Sequence, residues 1–152
     1  MKTKKKKKRV LVFGTFDLLH AGHLHYLEKA KKFGEELFVI IARDKTAKRI
    51  KGRKPVMDEN QRLKIISALR IVDKAVLGCR GNMYRRIKDL SPNIICLGYD
   101  QKPSSGELKK ELKKLGVKAR IMRLKKFVSK GFHSSTQIKK KILKQKKCKK
   151  LK

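Results

Sequence analysis

The sequence is poor in residues that cross-link a chain or hold it in a membrane. It has no tryptophan and three cysteines, Cys79, Cys96 and Cys148, none of which forms a CxxC pair. We therefore expect no disulfide framework and a reducing, cytoplasmic location. No apolar run approaches the ~18 residues of a membrane span, and the lysine-rich start lacks the apolar segment of a signal peptide. We expect no membrane contact.

Acidic residues are also scarce, because 12 of them face 45 lysines and arginines, which gives a net charge of +33. Residues 2–9 carry seven positive charges and residues 139–152 carry nine, with no acid in either segment. Such a charge attracts phosphates, nucleic acids and anionic lipids without choosing among them. We predict a basic tail at 1–9, one folded domain at 10–145 and a second basic tail at 146–152.

Short apolar runs alternate with segments of helical spacing along the whole chain. The predicted strands are 10–13, 37–42, 75–77, 94–97 and 117–124, and the predicted helices are 22–34, 57–69, 81–90, 104–116 and 133–145. This alternation indicates βαβ units and a parallel sheet with helices on both faces. Right-handed crossovers favour a single-domain, Rossmann-like α/β fold with a doubly wound five-stranded sheet of order 3-2-1-4-5. Ligands would then bind beyond the carboxyl ends of strands 1 and 4.

The segment GTFDLLHAGH, residues 14–23, follows the first strand and leads into the first helix. Gly14 permits a tight turn and a close approach of a ligand to the backbone. His20 and His23 stand at i and i+3, at a helix N-terminus that favours anions. Gly22 between them leaves room for a phosphate. Imidazoles there can stabilise charge that builds up on a phosphoryl group, and protonation would strengthen them as donors.

The histidine pair has two other interpretations. A zinc site needs further ligands, and no HExxH, CxxC or third ligand lies nearby. A purely structural role is the main alternative for an isolated HxxH pattern. His25 is expected to be a helix-surface residue.

The motif resembles the signature of the nucleotidyltransferase superfamily that carries an HxGH sequence. The matching residues are Gly14, Thr15, Phe16, Asp17, His20, Gly22 and His23. The resemblance continues through ARDKTAKRIKGRKPVMDENQR and LGYDQ to FHSSTQI, and it covers roughly residues 10–142. It implies attack by a phosphate on the α-phosphorus of a nucleoside triphosphate, with pyrophosphate leaving and a divalent metal, usually Mg²⁺, assisting.

The resemblance also implies roles for residues of the motif. His20 and His23 would be catalytic and would stabilise the α-phosphoryl transition state. The intervening Ala21 and Gly22 would lie against the nucleotide, which Thr15 and Phe16 would touch through the backbone. Asp17 would orient the site or lie near the metal. Dimers are common in this family, which allows a homodimer here by analogy.

Other candidate residues follow later strands. Lys51, Arg53 and Lys54 lie in a predicted loop that approaches the triphosphate in related enzymes, with Lys45 behind them, although lysine is abundant throughout this chain. Asp100 could accept hydrogen bonds from a ribose or base, or cap the next turn.

The acceptor substrate depends on the C-terminal part of the match. Glycerol-3-phosphate cytidylyltransferases, which use CTP, resemble one another in an RTEGIS-type sequence, but here Ser129 and Gly131 replace the arginine and the glutamate. FHSS before the last helix, with ARDKT, KGRKP and VDKAVLG, is more similar to archaeal-type FAD synthetase, which transfers AMP from ATP to FMN. Hydroxyls for phosphate binding, or for simple capping, are offered by Ser134, Ser135 and Thr136. Phe127 would pack against the base or belong to the core.

A nucleic-acid-binding protein on the same fold is the alternative of another class. The lysine tails favour it, whereas the absence of aromatic residues beside them and the intact histidine motif oppose it. We expect that nucleic acid is not required for function.

Overall fold

The structure, a computed structural model, describes residues 6–82, 84–127, 131 and 134–149, with side chains as far as 146. The strands are β1 Arg9–Gly14, β2 Glu36–Ile41, β3 Lys74–Leu77, β4 Ile94–Leu97 and β5 Arg120–Arg123. The helices are α1 Ala21–Lys31, α2 Asp44–Lys51, α3 Glu59–Ser67, α4 Arg85–Leu90, α5 Ser105–Lys114 and α6 Ser135–Lys149. None of the helices in the described part of the chain is long and apolar enough to cross a membrane.

The five strands form one parallel sheet in the order β3-β2-β1-β4-β5, which confirms the predicted topology. β1 lies at the centre, where Val12 is paired with Val39 of β2 and with Cys96 of β4. Its continuous apolar sequence is typical of a strand covered on both faces. The winding reverses between β1 and β4, so a crevice opens beyond their carboxyl ends.

Two hydrophobic cores cover the two faces of the sheet, because successive residues of a strand point to opposite sides. Val10 and Val12 of β1 face one core, which is completed by Leu27 of α1 and Ile66 of α3. The alternate residues of β1 and β2 face the other core, against helices α4 and α5. Each fully buried aliphatic side chain contributes about 1.5–3 kcal/mol. The sheet that carries the crevice is therefore firmly held.

Helix caps fix where several helices begin. Oδ1 of Asp58 accepts hydrogen bonds from the N–H groups of Asn60 and Gln61, as predicted for the N-cap of α3. At the start of α6, Oγ of Ser134 accepts from the N–H of Gln137 at 3.2 Å. Of the hydroxyl residues Ser134, Ser135 and Thr136, Ser134 is therefore the one that caps α6.

Helix α2 was missed by the sequence analysis, which interpreted its residues as a lysine-rich loop. The segment Asp44–Lys51 is short and mostly charged, and it buries one apolar side chain, Ala47, so its narrow apolar face does not stand out in a lysine-rich sequence. The helix ends at Gly52, whose φ of +72° suits glycine at this position. Lys45, Lys48 and Lys51 therefore point from a helix rather than from a loop.

Both predicted tails overlap regular structure. Arg9, expected to end the first tail, is the first residue of β1, and the carbonyl of Lys8 accepts hydrogen bonds from the N–H groups of Glu35 and Glu36. At the other end, α6 continues to Lys149, four residues beyond the predicted end of the last helix. In contrast, β5 is shorter than expected and starts at Arg120.

Candidate active site

The loop after β1 has an unusual backbone. Phe16 and Leu18 have φ angles of 54° and 52°, in the left-handed region that non-glycine residues rarely adopt. Such conformations cost about 1–3 kcal/mol each and cluster at functional sites. A Cβ on Gly14 would lie 3.1 Å from the Phe16 ring, which folds back against this glycine, so a larger residue would require the ring to shift. The sequence analysis had assigned the glycine to a tight turn and ligand approach.

His20 is the N-cap of α1 and precedes its first turn. Its Nδ1 accepts a hydrogen bond from the N–H of Gly22 at 3.1 Å, so the ring proton of neutral His20 lies on Nε2. His23 is in the first turn, and the two imidazoles are stacked with centroids 3.7 Å apart and an interplanar angle of 22°. The pair is therefore held together at the helix N-terminus, as the phosphate-site hypothesis requires.

His23 is a neutral imidazole in the free protein. Burial, the neighbouring charge of His20 and that of Lys51 lower the pKa of His23 to about 3. Its Nδ1 is buried without a hydrogen-bond partner in the described part of the chain. Because a buried N–H without an acceptor is costly, we infer that the proton lies on Nε2. The idea that both rings act as stronger, protonated donors does not hold for free His23.

Asp17 anchors a distant loop. Its carboxylate is 5% exposed and accepts hydrogen bonds from the N–H groups of Val56 and Met57, and it pairs with Lys139 of α6 at 3.1 Å. Burial by itself would raise the pKa of Asp17, but these partners outweigh it and the pKa is lowered. These contacts join the loop after β1 to the segment before α3 and to α6, and the role of Asp17 in orienting the site or lying near the metal stays a prediction. Lys139, which the sequence analysis had not singled out, is part of the same contact.

The described residues offer no ready-made cage for a resident metal ion. Among the described residues, no group of three or more histidine, cysteine, aspartate or glutamate side chains could hold one. Mg²⁺ usually keeps several waters and binds through substrate phosphates and one or two carboxylates. The residues present therefore fit a cation that arrives with a nucleotide.

Arg62 of α3 is a further residue that sequence reasoning missed. Its side chain is 0% exposed and donates hydrogen bonds to the carbonyls of Thr15 and Met57 and to Asp44, which begins α2. One guanidinium thus ties the loop after β1 to the segments before α2 and α3. Arginine in a polar helix is usually exposed, so no local sequence signal indicated this burial.

The loop after β4 is joined to β1 and α1 by side chains. The pairing of β1 with β4 extends to Val12 and Cys96. Beyond it, Gln101 donates from Nε2 to the carbonyl of Phe13 and accepts at Oε1 from the N–H of Gly98. The buried hydroxyl of Tyr26 donates toward the carbonyl of Cys96 at 2.8 Å and toward Gln101 at 3.1 Å. These groups set the spacing of the crevice walls.

A cavity of about 750 Å³ occupies the crevice, within the size range of ligand pockets. The sequence-predicted residues that line it are Thr15, Phe16, His20, Gly22, His23, Lys51, Asp100, Phe127, Ser134, Ser135 and Thr136. Ala21 is exposed and does not reach this wall. His25, expected only on the helix surface, lines the cavity and stacks on Phe127.

A second cavity of about 490 Å³ adjoins the first and is strongly basic. Its lining includes Lys51, Arg53, Lys54 and Lys139, with Asp17 as the acidic member of that lining. Arg53 donates a hydrogen bond to Oγ1 of Thr136 at 3.1 Å, so α6 closes one side. Partial loss of water, together with the charges of Lys139 and Arg53, lowers the pKa of Lys51. Lys45 lines neither cavity.

Some predicted features lie outside the described residues. These are Ser129 and Lys130 of the RTEGIS-like segment and Phe132 and His133 of FHSS. Gly131 is described and has a φ of +105°, which a side chain such as glutamate would adopt only with strain. The departure from the cytidylyltransferase pattern at this position thus suits the local backbone.

Comparisons with known proteins agree with this geometry. The cytidylyltransferase-like family model matches residues 11–141. The FAD synthase of Thermoplasma volcanium is 47% identical over 135 residues, which are 89% of this chain and 94% of that protein. The FAD synthase of Methanohalobium evestigatum is 49% identical and covers 89% of each chain. A Thermoplasma volcanium structure titled as a lipopolysaccharide core biosynthesis protein is 48% identical, with a TM-score of 0.76 over 80% of this chain and 99% of that one.

Proposed function

Since the chain belongs to the cytidylyltransferase-like family, we propose that it is an enzyme that makes FAD by transferring AMP from ATP to FMN. The observation that carries this proposal is the high identity to FAD synthases over 89% of the chain, together with the histidine pair in a cavity large enough for two substrates. An oxygen of the FMN phosphate attacks the α-phosphorus of ATP. The bond from that phosphorus to the bridging oxygen breaks, and pyrophosphate leaves.

The histidines act as hydrogen-bond donors in this reaction, and His23 does so as a neutral ring. Negative charge shifts onto the oxygens of the α-phosphoryl group and the leaving group during transfer. The Nε2–H groups of His20 and His23 donate to these oxygens, and the N-terminus of α1 adds its dipole. One such preorganised donor contributes a factor of about 10²–10³ in turnover. FMN phosphate attacks as an anion, so the histidines need not remove a proton.

The smaller, basic cavity receives the β- and γ-phosphates and then the pyrophosphate. Lys51, Arg53, Lys54 and Lys139 supply its positive charge, and the hydroxyl of Thr136 lies at its border with α6. ATP is used as its complex with a divalent cation, Mg²⁺ being the expected one, which offsets part of the phosphate charge. This agrees with a site that has no carboxylate cluster of its own among the described residues.

The nucleoside part of ATP lies in the half of the large cavity beyond β4 and β5. Asp100 offers acceptors for the ribose or base, and Phe127 offers an aromatic face. Ser134 and Ser135, at the start of α6, present hydroxyls and helix N–H groups toward the nucleotide phosphates. Thr15 and Phe16 contact it through the backbone of the loop after β1.

A cytidylyl transfer from CTP to glycerol 3-phosphate is the second candidate. It shares the histidine site, so the cavity of the HxGH motif does not separate the two reactions. Gly131 stands where cytidylyltransferases carry glutamate, and its φ of +105° suits glycine and not glutamate, which favours the flavin reaction.

A direct assay tests the proposal. Purified protein is incubated with Mg²⁺, either ATP or CTP, and either FMN or glycerol 3-phosphate, and the products are separated by chromatography. We expect FAD and pyrophosphate from ATP plus FMN. Formation of CDP-glycerol without FAD would reject the proposal and favour the second candidate.

A further inference from the structure

His25 and Phe127 form a stacked aromatic pair in the wall of the large cavity. Their ring centroids are 4.0 Å apart and the interplanar angle is 21°. His25 stands on α1, one turn past the N-cap, and Phe127 follows β5, so residues about 100 positions apart meet here. Both side chains are half-buried, and both line the cavity. A nearly parallel pair with remaining exposure has ring surface to offer to a third planar group.

We propose that this pair makes the enzyme prefer ATP to CTP, with Phe127 stacking on the base and His25 acting as the positioning residue behind it. The inference rests on the proposed function and deepens it, because the HxGH motif does not distinguish the two nucleotides. A purine has a larger π-face than a pyrimidine and gains more from an aromatic platform. The pair would therefore stabilise bound ATP more than bound CTP.

The surroundings of Phe127 explain why it needs His25. Leu124 donates its N–H to the carbonyl of Leu97 at 2.9 Å, and Phe127 lies three residues further on, in an irregular segment. His25 stands on a helix fixed by the buried Leu27 and Ala30. The imidazole thus provides a surface on a well-packed helix that helps to set the plane of the Phe127 ring. Preorganising that ring raises affinity without adding a contact.

The two halves of the cavity differ in chemistry. Beyond β4 and β5 the wall has the stacked pair together with Tyr99, which is 49% exposed. Beyond β2 the described lining residues include no aromatic ring: Ile40 and Ile50 lie there beside Arg43, Thr46 and Lys51. A base that needs stacking is better matched to the first half, which also contains Asp100 as a hydrogen-bond acceptor.

The test compares nucleotide preference in four variants. His25→Ala and Phe127→Ala remove one ring each, His25→Phe keeps a stacked ring without the imidazole nitrogens, and Glu28→Ala changes an exposed residue of the same helix. The measurement is kcat/KM for ATP and for CTP at saturating FMN. We expect the ATP-to-CTP ratio to fall about tenfold in both alanine variants, mainly through KM for ATP, and to stay near wild type in His25→Phe and Glu28→Ala.

Calorimetric binding of ATP and CTP without FMN separates this inference from the proposed function. Wild type could form no FAD and still bind ATP more tightly than CTP. If His25→Ala removes that difference in affinity, the proposed role of the His25–Phe127 pair is supported although FMN is not the acceptor. An unchanged ATP-to-CTP ratio in a folded His25→Ala protein would overturn it. If His25→Ala lowers the urea midpoint, His25→Leu replaces it as an apolar variant without a ring. A lowered ATP-to-CTP ratio in His25→Leu then supports the proposal, and an unchanged ratio overturns it.

Discussion

Arg62 donates a hydrogen bond to the carbonyl of Thr15 at 2.6 Å although 47 residues separate them in the chain. The same guanidinium reaches Asp44 and the carbonyl of Met57, and it is completely buried. The contact joins α3 to the loop that carries two left-handed residues. That strained loop can persist because a rigid, multiply bonded side chain supports it.

Replacing this guanidinium should therefore disturb both stability and catalysis. Arg62→Lys keeps the charge but cannot reach all three acceptors, and we expect the free energy of unfolding to fall by about 3 kcal/mol. We also expect kcat/KM to fall at least tenfold, on the order expected for a misplaced site. Urea unfolding and the FAD assay measure the two effects. The exposed Arg85→Lys is the matched control, and equal stability of both variants would contradict the assigned role.

Removing a donor from the stacked pair should affect turnover strongly. His23→Ala is expected to lower kcat by ~100-fold or more, the usual effect of losing one preorganised donor. Lys29→Ala, an exposed change on the same helix, should leave kcat within twofold. Steady-state rates at saturating ATP and FMN give the comparison. Near-wild-type turnover of His23→Ala would reject the role of the ring.

The neutral state of His23 predicts a pH-dependent stability. Its pKa is lowered from 6.5 to about 3, so in the window between these values the unfolded chain binds a proton that the folded chain does not. Stability contributed by the neutral ring is thus lost as the pH falls from about 6.5 toward 3. Between pH 7 and pH 5 wild type should lose about 2 kcal/mol more than His23→Gln, measured by urea unfolding.

Asp17 does not interfere with that comparison. The pKa of Asp17 is lowered from 3.8, so its contribution to the free energy of unfolding is complete above that value. This contribution is lost only as the pH falls through the lower, folded-state pKa. Equal pH slopes for wild type and His23→Gln between pH 7 and pH 5 would show that His23 is solvated and not buried.

Residues of the basic cavity should affect the KM for ATP more than the KM for FMN. Lys51→Ala is expected to raise KM for ATP about tenfold, the effect of losing one charged contact to the phosphates, while KM for FMN changes little. Lys48→Ala removes an exposed lysine of the same helix that lines neither cavity and should not alter KM. Initial rates with each substrate varied in turn distinguish the two. A larger rise in KM for FMN would assign this cavity to the acceptor.

The hydroxyl of Tyr26 should contribute to stability through its two acceptors. Tyr26→Phe removes the hydrogen bonds to Cys96 and Gln101 and should lower the free energy of unfolding by about 1–2 kcal/mol. Tyr84→Phe, in the core on the other face of the sheet, is the control. Thermal and urea unfolding measure the difference, and an unchanged stability of Tyr26→Phe would show that the hydroxyl does not bridge these groups.

Regular elements with an apolar pattern could be predicted from the sequence, and the others could not. Strand β4 was predicted with the bounds Ile94–Leu97, because a short apolar run between polar segments leaves little choice. Helix α2 was not predicted because it has only eight residues, most of them charged, and its apolar face is limited to residues such as Ala47 and Ile50. The burial of Arg62 depends on contacts with three separate segments, and no local period encodes such contacts.

The residues of the candidate site were likewise predictable only where a local sequence pattern marks them. The strand-glycine-histidine order located His20 and His23 at the crevice, since parallel topology fixes where a first strand ends. The partners of Asp17 were not predictable, because Val56, Met57 and Lys139 come from distant parts of the chain. Likewise, nothing in the spacing of His25 indicated that Phe127 would lie against it.

The amide of Gln101 extends the link between β1 and β4 at the point where their own pairing stops. The width of the crevice is therefore established when the chain folds and not when a nucleotide arrives. The conformational entropy of this region has already been lost, so ligand binding does not bear that cost. We expect the mouth of the crevice to behave as a rigid frame and any closing motion to arise instead from α6, which contacts the basic cavity through Arg53 and Asp17.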